Sequence, residues 1–465
     1  MFLHTKKIHF VGVGGIGMSG IAEVLKNLGY DVSGSDLNSS LVTQRLTELG
    51  VTVHSGHDGS NVEGAHVVVR SSAVRDDNPE VRTARDLGIP VIPRAEMLAE
   101  LMRMKHGVAV GGSHGKTTTT SLLAGIFADA GMDPTVVVGG KLNSVGTNAV
   151  LGRGEWMVAE ADESDGSFLL LSPTINIVTN IDAEHLDHYG TLEVLHEAFL
   201  KFINKVPFYG AAILCLDHPA IQSLLPRVTK RYVTYGFSSQ ADLRAVEVSV
   251  GQGANTFSVM RGETFLGPVT LKLPGRHNVL NALASIAASL EAGIPFPVIQ
   301  QALGRFEGVQ RRFTIRGDFP LITVVDDYAH HPAEIRATLG AARESYARRI
   351  VAIWQPHRFS RVRDLREDFA RAFNDCALVI VMDVYRAGEQ PIEGVDGESL
   401  VRDLRHHGHK GAVYAPSHAD VLEVVRQQVR KGDVVITLGA GDVTVLSHQL
   451  ADVVGGFAPP TLELE

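Results

Sequence analysis

Twice in this chain an apolar run passes through a glycine-rich turn straight into an amphipathic helical pattern. Residues 8–13 lead through Gly12-Val-Gly14-Gly15-Ile-Gly17, and residues 107–110 lead through Gly111-Gly112-Ser113-His114-Gly115-Lys116-Thr117-Thr118. Strand, turn and helix in that order form the repeating unit of a parallel α/β sheet. The alternation continues on either side. Strand-like runs at 31–35, 66–69 and 89–92 lie among helical runs at 18–28, 41–49 and 79–87, and further strand-like runs follow at 156–161, 176–180 and 211–216. A third series places runs at 321–325, 350–354, 378–382 and 434–438 among helical patterns near 334–343, 365–373 and 419–430. Between about 232 and 273 the period falls to two, with turn residues Gly251-Gln-Gly253 and Arg261-Gly262, which predicts antiparallel strands before a helical run at 279–290.

The fold class expected is therefore α/β, and 465 residues suit about three domains. The changes of pattern near 105 and 313 divide the chain into 1–105, 106–312 and 313–465, with a short frayed tail after Gly455. A net charge of −9 without a block of lysine or arginine leaves no electrostatic footprint for duplex nucleic acid or anionic lipid. Cys215 and Cys376 stand outside any C-x-x-C spacing, which argues against a disulfide scaffold or a thiolate zinc site and for a reducing compartment. No run reaches the ~18 apolar residues of a membrane span, and no apolar leader precedes the first strand, so a cytoplasmic enzyme of small molecules is expected, without membrane insertion.

The second glycine turn carries the sharper chemistry. Successive backbone N–H groups of Gly112-Ser113-His114-Gly115 can point inward at a polyphosphate, and the following helix adds its partial positive charge. Lys116 would bridge the β and γ phosphates of ATP, and the Thr117 hydroxyl would ligate Mg2+. Val110 stands where the usual six-residue spacing has its first glycine, but the Gly-Lys-Thr core is intact. The plainer alternative is a glycine turn with a surface lysine. Downstream, the apolar run at 156–159 ends in Glu160-Ala-Asp162-Glu163-Ser-Asp165, and a carboxylate at a strand's carboxyl end beside a phosphate loop is where a hard cation is held. Glu160 is the candidate there, though four acids in six residues also suit a solvated loop. Asn180-Ile-Asp182-Ala-Glu184-His185-Leu-Asp187-His188 follows another apolar strand and offers His185.

The first turn, with Asp36 at the end of the next strand, taken alone reads as a dinucleotide-binding fingerprint. Its physics is less specific than that. Glycines permit close approach to any pyrophosphate, and a UDP-sugar carries one as NAD does.

Taken together, the motifs resemble the Mur ligase family. Those that carry the resemblance are the stretch from His9 to Gly20, Gly112-Ser-His-Gly-Lys-Thr-Thr118, Glu160-Ala-Asp-Glu-Ser-Asp165, Gly275-Arg-His-Asn-Val-Leu-Asn281, Gly308-Val-Gln-Arg-Arg-Phe313, Asp326-Asp-Tyr-Ala-His-His-Pro332, Gln355-Pro-His-Arg-Phe-Ser-Arg361 and Gly439-Ala-Gly-Asp442, in family order along nearly the whole chain. The resemblance implies a Rossmann-like UDP-sugar domain, a central P-loop ATPase-type domain with an antiparallel part, and a Rossmann-like third domain. It implies an ATP-dependent amide ligase of peptidoglycan synthesis that joins L-alanine to the carboxylate of UDP-N-acetylmuramate through an acyl phosphate, as a monomer or homodimer.

By that resemblance Gly12, Gly14, Gly15, Gly17 and Asp36 meet the UDP-sugar. Gly112, Ser113, His114, Gly115, Lys116, Thr117, Thr118, Asn281, Arg312 and Asp327 meet ATP, and Thr117, Glu160 and His185 hold the metal. Tyr328, His330, His357, Arg358 and Arg361 face the amino acid, with Lys116, His185, His330 and Arg358 in catalytic roles. Arginine grips carboxylates by paired hydrogen bonds, which suits Arg358 or Arg361 to alanine's carboxylate. Without the resemblance, Asn281, Arg312 and Asp327 read as an Asn-rich turn, a surface arginine and a strand-end acid. His406-His-Gly-His409 reads as a solvated turn rather than a metal tract. Three other functions stay in view: a recycling ligase attaching a preformed tripeptide to the same UDP-sugar, an NAD-dependent oxidoreductase, and a nucleotide-switched binding protein.

Overall fold

The protein is described by a computed structural model, which covers residues 5–71, 73–138, 149–251, 253–319 and 322–455. Among these residues the strands form three sheets, and the expected α/β class is borne out. The tail expected after Gly455 lies outside the described residues.

The first sheet runs Thr52–Ser55, Asp31–Asp36, Lys7–Val11, Val67–Arg70, Val91–Pro93, and every pairing is parallel. Chain order reverses on either side of Lys7–Val11, so the first glycine turn leaves the sheet at the switch point, where a crevice opens beyond the strand ends. Ile8, Phe10 and Val11 are buried completely, as befits a central strand covered on both faces. The strand Thr52–Ser55 and the helix Arg94–Arg103 were not expected from the pattern. The helix buries Ala95, Met97, Leu98, Ala99, Leu101 and Met102.

The second sheet has ten strands in the order Thr264–Leu271, Ala254–Arg261, Leu243–Gly251, Tyr232–Gly236, Ala211–Cys215, Ile175–Val178, His106–Gly111, Trp156–Glu160, Thr135–Val137, Ala149–Val150. His106–Gly111 lies between Ile175–Val178 and Trp156–Glu160 and is parallel to both. The segments following all three strands therefore converge at one end, around the phosphate loop. One expectation is corrected: Tyr232–Gly236 pairs parallel with both neighbours. A two-residue alternation reports a half-exposed strand and not its direction, and the connection from Ala211–Cys215 carries the helix Pro219–Leu224, which gives it the length of a parallel crossover. Ala254–Arg261 and Thr264–Leu271 are sheet neighbours joined by two residues, which leaves only the antiparallel arrangement.

The third sheet runs Thr314–Phe319, Ile322–Asp327, Val434–Leu438, Ile350–Trp354, Leu378–Val381, Ala412–Tyr414. Its first pair is antiparallel and the rest parallel. Trp354 is fully buried between Phe369 and Phe373, each ring centroid 4.9 Å away. The single helix expected near 365–373 is replaced by two short ones, Phe359–Asp364 and Arg366–Ala370.

Contacts divide the chain into two compact units. One comprises Met1–Val246, Ser258–Val269 and Leu280–Glu307, the other Glu247–Phe257, Thr270–Val279 and Gly308–Glu465. Among the described residues no helix is long and apolar enough to cross a membrane.

Candidate active site

In the first unit, the phosphate loop is shaped by the segment that follows the neighbouring strand. Asn180 clamps His114 from both sides, its Oδ1 accepting from the His114 N–H at 2.8 Å and its Nδ2 donating to the His114 carbonyl at 3.0 Å. Thr179 Oγ1 donates to the same carbonyl at 2.6 Å, and the Asp182 N–H donates to Ser113 Oγ at 2.9 Å. Gly115 then caps the helix Lys116–Asp129 in the left-handed region, at φ +83°. A Cβ on Gly115 would also come within 2.5 Å of Asn281 Oδ1. Asn281, on the helix Arg276–Glu291, therefore meets the loop through its glycine. The free N–H groups of the helix start, and its dipole, favour an anion at this place.

Lys116 folds back across the loop. Its Nζ donates to the carbonyls of Gly112 (2.6 Å) and Ser113 (3.3 Å) and lies 2.8 and 2.9 Å from the two oxygens of Glu163. Burial works against the lysine charge, but the Glu163 carboxylate outweighs it and holds the lysine above its usual pKa. Glu163 is buried, and Tyr189 O–H donates to its carbonyl at 2.5 Å.

His185, in the left-handed region at φ +57°, places Nε2 3.8 Å from Glu163 and 3.7 Å from Glu184. Glu163, Glu184 and His185 thus converge on one point with donor atoms spaced for a metal ion. His185 is the residue anticipated for this role; Glu160 ends its strand half-buried and does not belong to that cluster, and Thr117 occupies the first helical turn. Glu163 and Glu184 both lie inside the acidic runs read from the sequence, but only the fold shows which carboxylates converge. Beside the loop, Asp182 is flanked by His114 at 3.1 Å and His218 at 3.4 Å. Hydrogen bonds from these two hold its carboxyl well below the usual range.

At the first glycine turn, Asp36 braces the loop itself. Its Oδ2 accepts from the Gly14 N–H at 2.9 Å and its Oδ1 from the Asn38 N–H at 3.1 Å. Asp36, Asn38, Thr43, Gln44, His54 and Ser55 help line an open cavity of about 150 Å³.

In the second unit, Tyr328, His330, His357 and Tyr385 form a chain of rings. The centroids of Tyr328 and His330 are 5.1 Å apart, those of His330 and His357 6.0 Å, and His357 stacks on Tyr385 at 5.5 Å and 8°. His330 Nδ1 lies 3.1 Å from the Tyr328 carbonyl, which can only accept, so that nitrogen carries the proton and Nε2 is left as an acceptor. Burial pushes both His330 and His357 down to about 4. Arg361 Nη1 lies 3.4 Å from His357 Nδ1. Arg358, exposed and at φ +67°, is anchored by its backbone N–H to the Tyr385 carbonyl at 2.9 Å.

The guanidinium of Arg312 lies 5.2 Å from the Tyr328 ring centre and 3.6 Å from Glu334. Asp327 ends its strand buried, accepting from the N–H groups of Phe313 (2.7 Å) and Ala329 (2.8 Å). Burial raises its carboxyl to about 6, against the pull of Arg312. The residues anticipated for the amino acid thus sit together, with Arg312 and Asp327 beside them. The histidines at 406–409 do not converge: His407 Nε2 lies 3.2 Å from Glu367, and His409 is buried with Nε2 3.2 Å from the Cys376 carbonyl.

The sequence matches three family models in succession: Mur ligase family, catalytic domain, over residues 7–106; Mur ligase middle domain over 110–289; and Mur ligase, glutamate ligase domain, over 311–441. It is 59% identical over 444 residues to a UDP-N-acetylmuramate–L-alanine ligase of Anaeromyxobacter sp., covering 96% of this chain and 97% of that one. It is 58% identical over 445 residues to one of Pelobacter propionicus, covering 95% and 97%. Among solved structures it is similar to UDP-N-acetylmuramate-alanine ligase MurC of Thermotoga maritima, with TM-score 0.81, 32% identity, and coverage of 98% of this chain and 100% of that one. The fold is also shared with a murein peptide ligase of Psychrobacter arcticus, with TM-score 0.70, 24% identity, and coverage of 98% and 100%.

Proposed function

The chain belongs to the Mur ligase family, and we propose that it catalyses the reaction for which its relatives are named. It joins L-alanine to the carboxylate of UDP-N-acetylmuramate at the expense of ATP, releasing ADP and phosphate, as a step in making a peptidoglycan precursor. The observation that carries this reading is the coincidence of full-length similarity to alanine-adding ligases with a phosphate loop whose lysine stands beside a converging Glu163–Glu184–His185 cluster.

A carboxylate is a poor acylating agent because its leaving group would be oxide. Attack of the muramate carboxylate on the γ-phosphate of ATP gives an acyl phosphate; the alanine amine then attacks the acyl carbon, and phosphate leaves. Phosphoryl transfer depends mainly on positioning and charge stabilisation. Lys116 supplies a fixed positive charge to the transferring group, exchanging its contacts with the loop carbonyls and Glu163 for phosphate oxygens. Gly112 to Thr118 cradle the polyphosphate, with Asn281, Arg312 and Asp327 as further nucleotide contacts. Magnesium would be held by His185 with Glu163 and Glu184, whose donor atoms converge and in which oxygens predominate, as a hard cation requires, with Thr117 and Glu160 as the further ligands that the family resemblance implies. When bound, it neutralises charge developing on the phosphoryl oxygens.

Gly12, Gly14, Gly15, Gly17 and the bracing carboxylate of Asp36 receive the UDP-sugar. Tyr328, His330, His357, Arg358 and Arg361 surround the amino acid: an arginine takes its carboxylate, and the neutral Nε2 of His330 accepts from its amino group. On this reading, residues 1–105, 106–312 and 313–465 act as three domains, in the cytoplasm. The test is phosphate release from ATP and Mg2+ with UDP-N-acetylmuramate, comparing L-alanine, the L-Ala-γ-D-Glu-diaminopimelate tripeptide and no acceptor. Release that needs both the UDP-sugar and alanine is expected. Preference for the tripeptide overturns the acceptor, and indifference to the UDP-sugar overturns the reading of the first glycine turn.

A further inference from the structure

Arg94 opens the helix Arg94–Arg103 and lies between the first glycine turn and the acidic run that follows the strand Trp156–Glu160. On one side its Nη1 lies 2.7 Å from where a Cβ on Gly17 would stand, with Cδ and Cζ at 3.2 Å. The last glycine of the first turn is thus the surface against which this guanidinium packs. On the other side its Nη2 lies 3.5 Å from Oδ2 of Asp162, the residue before Glu163, the partner of Lys116. That separation is well beyond the roughly 2.7–2.9 Å of a strong charge-assisted hydrogen bond. The side chain is one quarter exposed, so its planar fork is open to an incoming group.

A substrate whose diphosphate sits on the first turn and whose carboxylate must reach the γ-phosphate on the second has to lay that carboxylate between them. The approach carries negative charge from Asp162 beside Arg94, and Lys116 is already engaged with Glu163 and the loop carbonyls. We propose that Arg94 binds the lactyl carboxylate of UDP-N-acetylmuramate, taking it as a fork-and-carboxylate pair in place of its long contact to Asp162, and so makes the site select a sugar nucleotide that carries this acid. The inference rests on the function proposed above. It adds the residue that distinguishes UDP-N-acetylmuramate from UDP-N-acetylglucosamine, which differs from it only in lacking the lactyl ether.

Equilibrium binding of these two sugar nucleotides to the full-length protein, by calorimetry, tests it without relying on turnover. Arg94→Ala should weaken UDP-N-acetylmuramate on the order of 10- to 100-fold, the range for a hydrogen-bonded charge, and leave UDP-N-acetylglucosamine unchanged, which also shows that the site is still folded. Arg94→Lys, keeping the charge but not the fork, should fall between. Equal weakening of both ligands places Arg94 on the diphosphate and overturns the proposal, as does no change in either. If the wild-type protein itself fails to bind UDP-N-acetylmuramate, the functional reading beneath the proposal fails instead.

Discussion

Lys116 and Glu163 form a two-pronged ion pair at the point where the phosphate loop becomes its helix, with the ammonium nitrogen 2.8 and 2.9 Å from the two carboxylate oxygens. The pair holds the lysine charged and stationed over the loop before any phosphate arrives. Removing the lysine alone would strand a buried carboxylate, so the informative variant is Lys116→Met combined with Glu163→Gln. This double variant should fold with a melting temperature near that of the wild type and release phosphate at least ~10²-fold more slowly, the scale of losing a preorganised charge in such a site. Phosphate release at the wild-type rate would remove Lys116 from the mechanism.

Gly115 is under two constraints at once, a left-handed φ of +83° and the Asn281 amide 2.5 Å from its missing Cβ. Gly115→Ala should cost about 1–3 kcal/mol of stability from backbone strain and crowding together. The two causes separate in the double variant Gly115→Ala/Asn281→Ala, which relieves the crowding and leaves the strain. Partial recovery is expected by chemical denaturation. Full recovery would mean that the helix entry does not require the left-handed conformation.

Much of this arrangement is legible in the sequence, because glycine, lysine and threonine at a strand-to-helix turn leave few physical alternatives. The phosphate loop, the first glycine turn and the rings from Tyr328 to His357 all belong to that legible part. The remainder depends on relations that residue type does not encode. Glu160, Asp162 and Glu163 are interchangeable as letters, and only the bend after the strand Trp156–Glu160 turns Glu163 onto Lys116. Arg94 follows Pro93 in an undistinguished stretch and acquires meaning only when the fold sets it between Gly17 and Asp162. The parallel course of Tyr232–Gly236 is invisible for the same reason, since alternation specifies which side chains are buried and not which way the neighbouring strand runs.

Arg358 is anchored through its backbone at a positive φ beside the stacked rings of His357 and Tyr385, while its side chain stays exposed. A clamp for the amino acid's carboxylate contributes equally to ground state and transition state. Arg358→Ala should therefore raise the KM for L-alanine by about 10- to 100-fold while changing kcat by no more than a few-fold. Steady-state alanine saturation curves decide this, and an unchanged KM would transfer the clamp to Arg361.

Glu80, with no exposed surface, sits among hydrogen-bond donors in the first sheet's flank: Ser35 Oγ donates at 2.5 Å and Asn61 Nδ2 at 2.6 Å, with His57 Nδ1 at 3.2 Å and His9 Nε2 at 3.6 Å. Burial pushes its carboxyl up from the usual 4.5, but the bonds from His9, Ser35 and Asn61 reverse this and bring it down to about 2. The folded state therefore holds this proton less tightly than the unfolded chain. Its contribution to stability is present above about pH 4.5 and is lost as pH falls towards about 2, amounting to about 3–4 kcal/mol at roughly 1.4 kcal/mol per pKa unit. Glu80→Gln abolishes the titration, so its urea midpoint should lie below that of the wild type at pH 7, and the gap should narrow steadily between pH 4.5 and pH 3. A gap that stays constant over that interval would show that Glu80 contributes through packing and not through its charge.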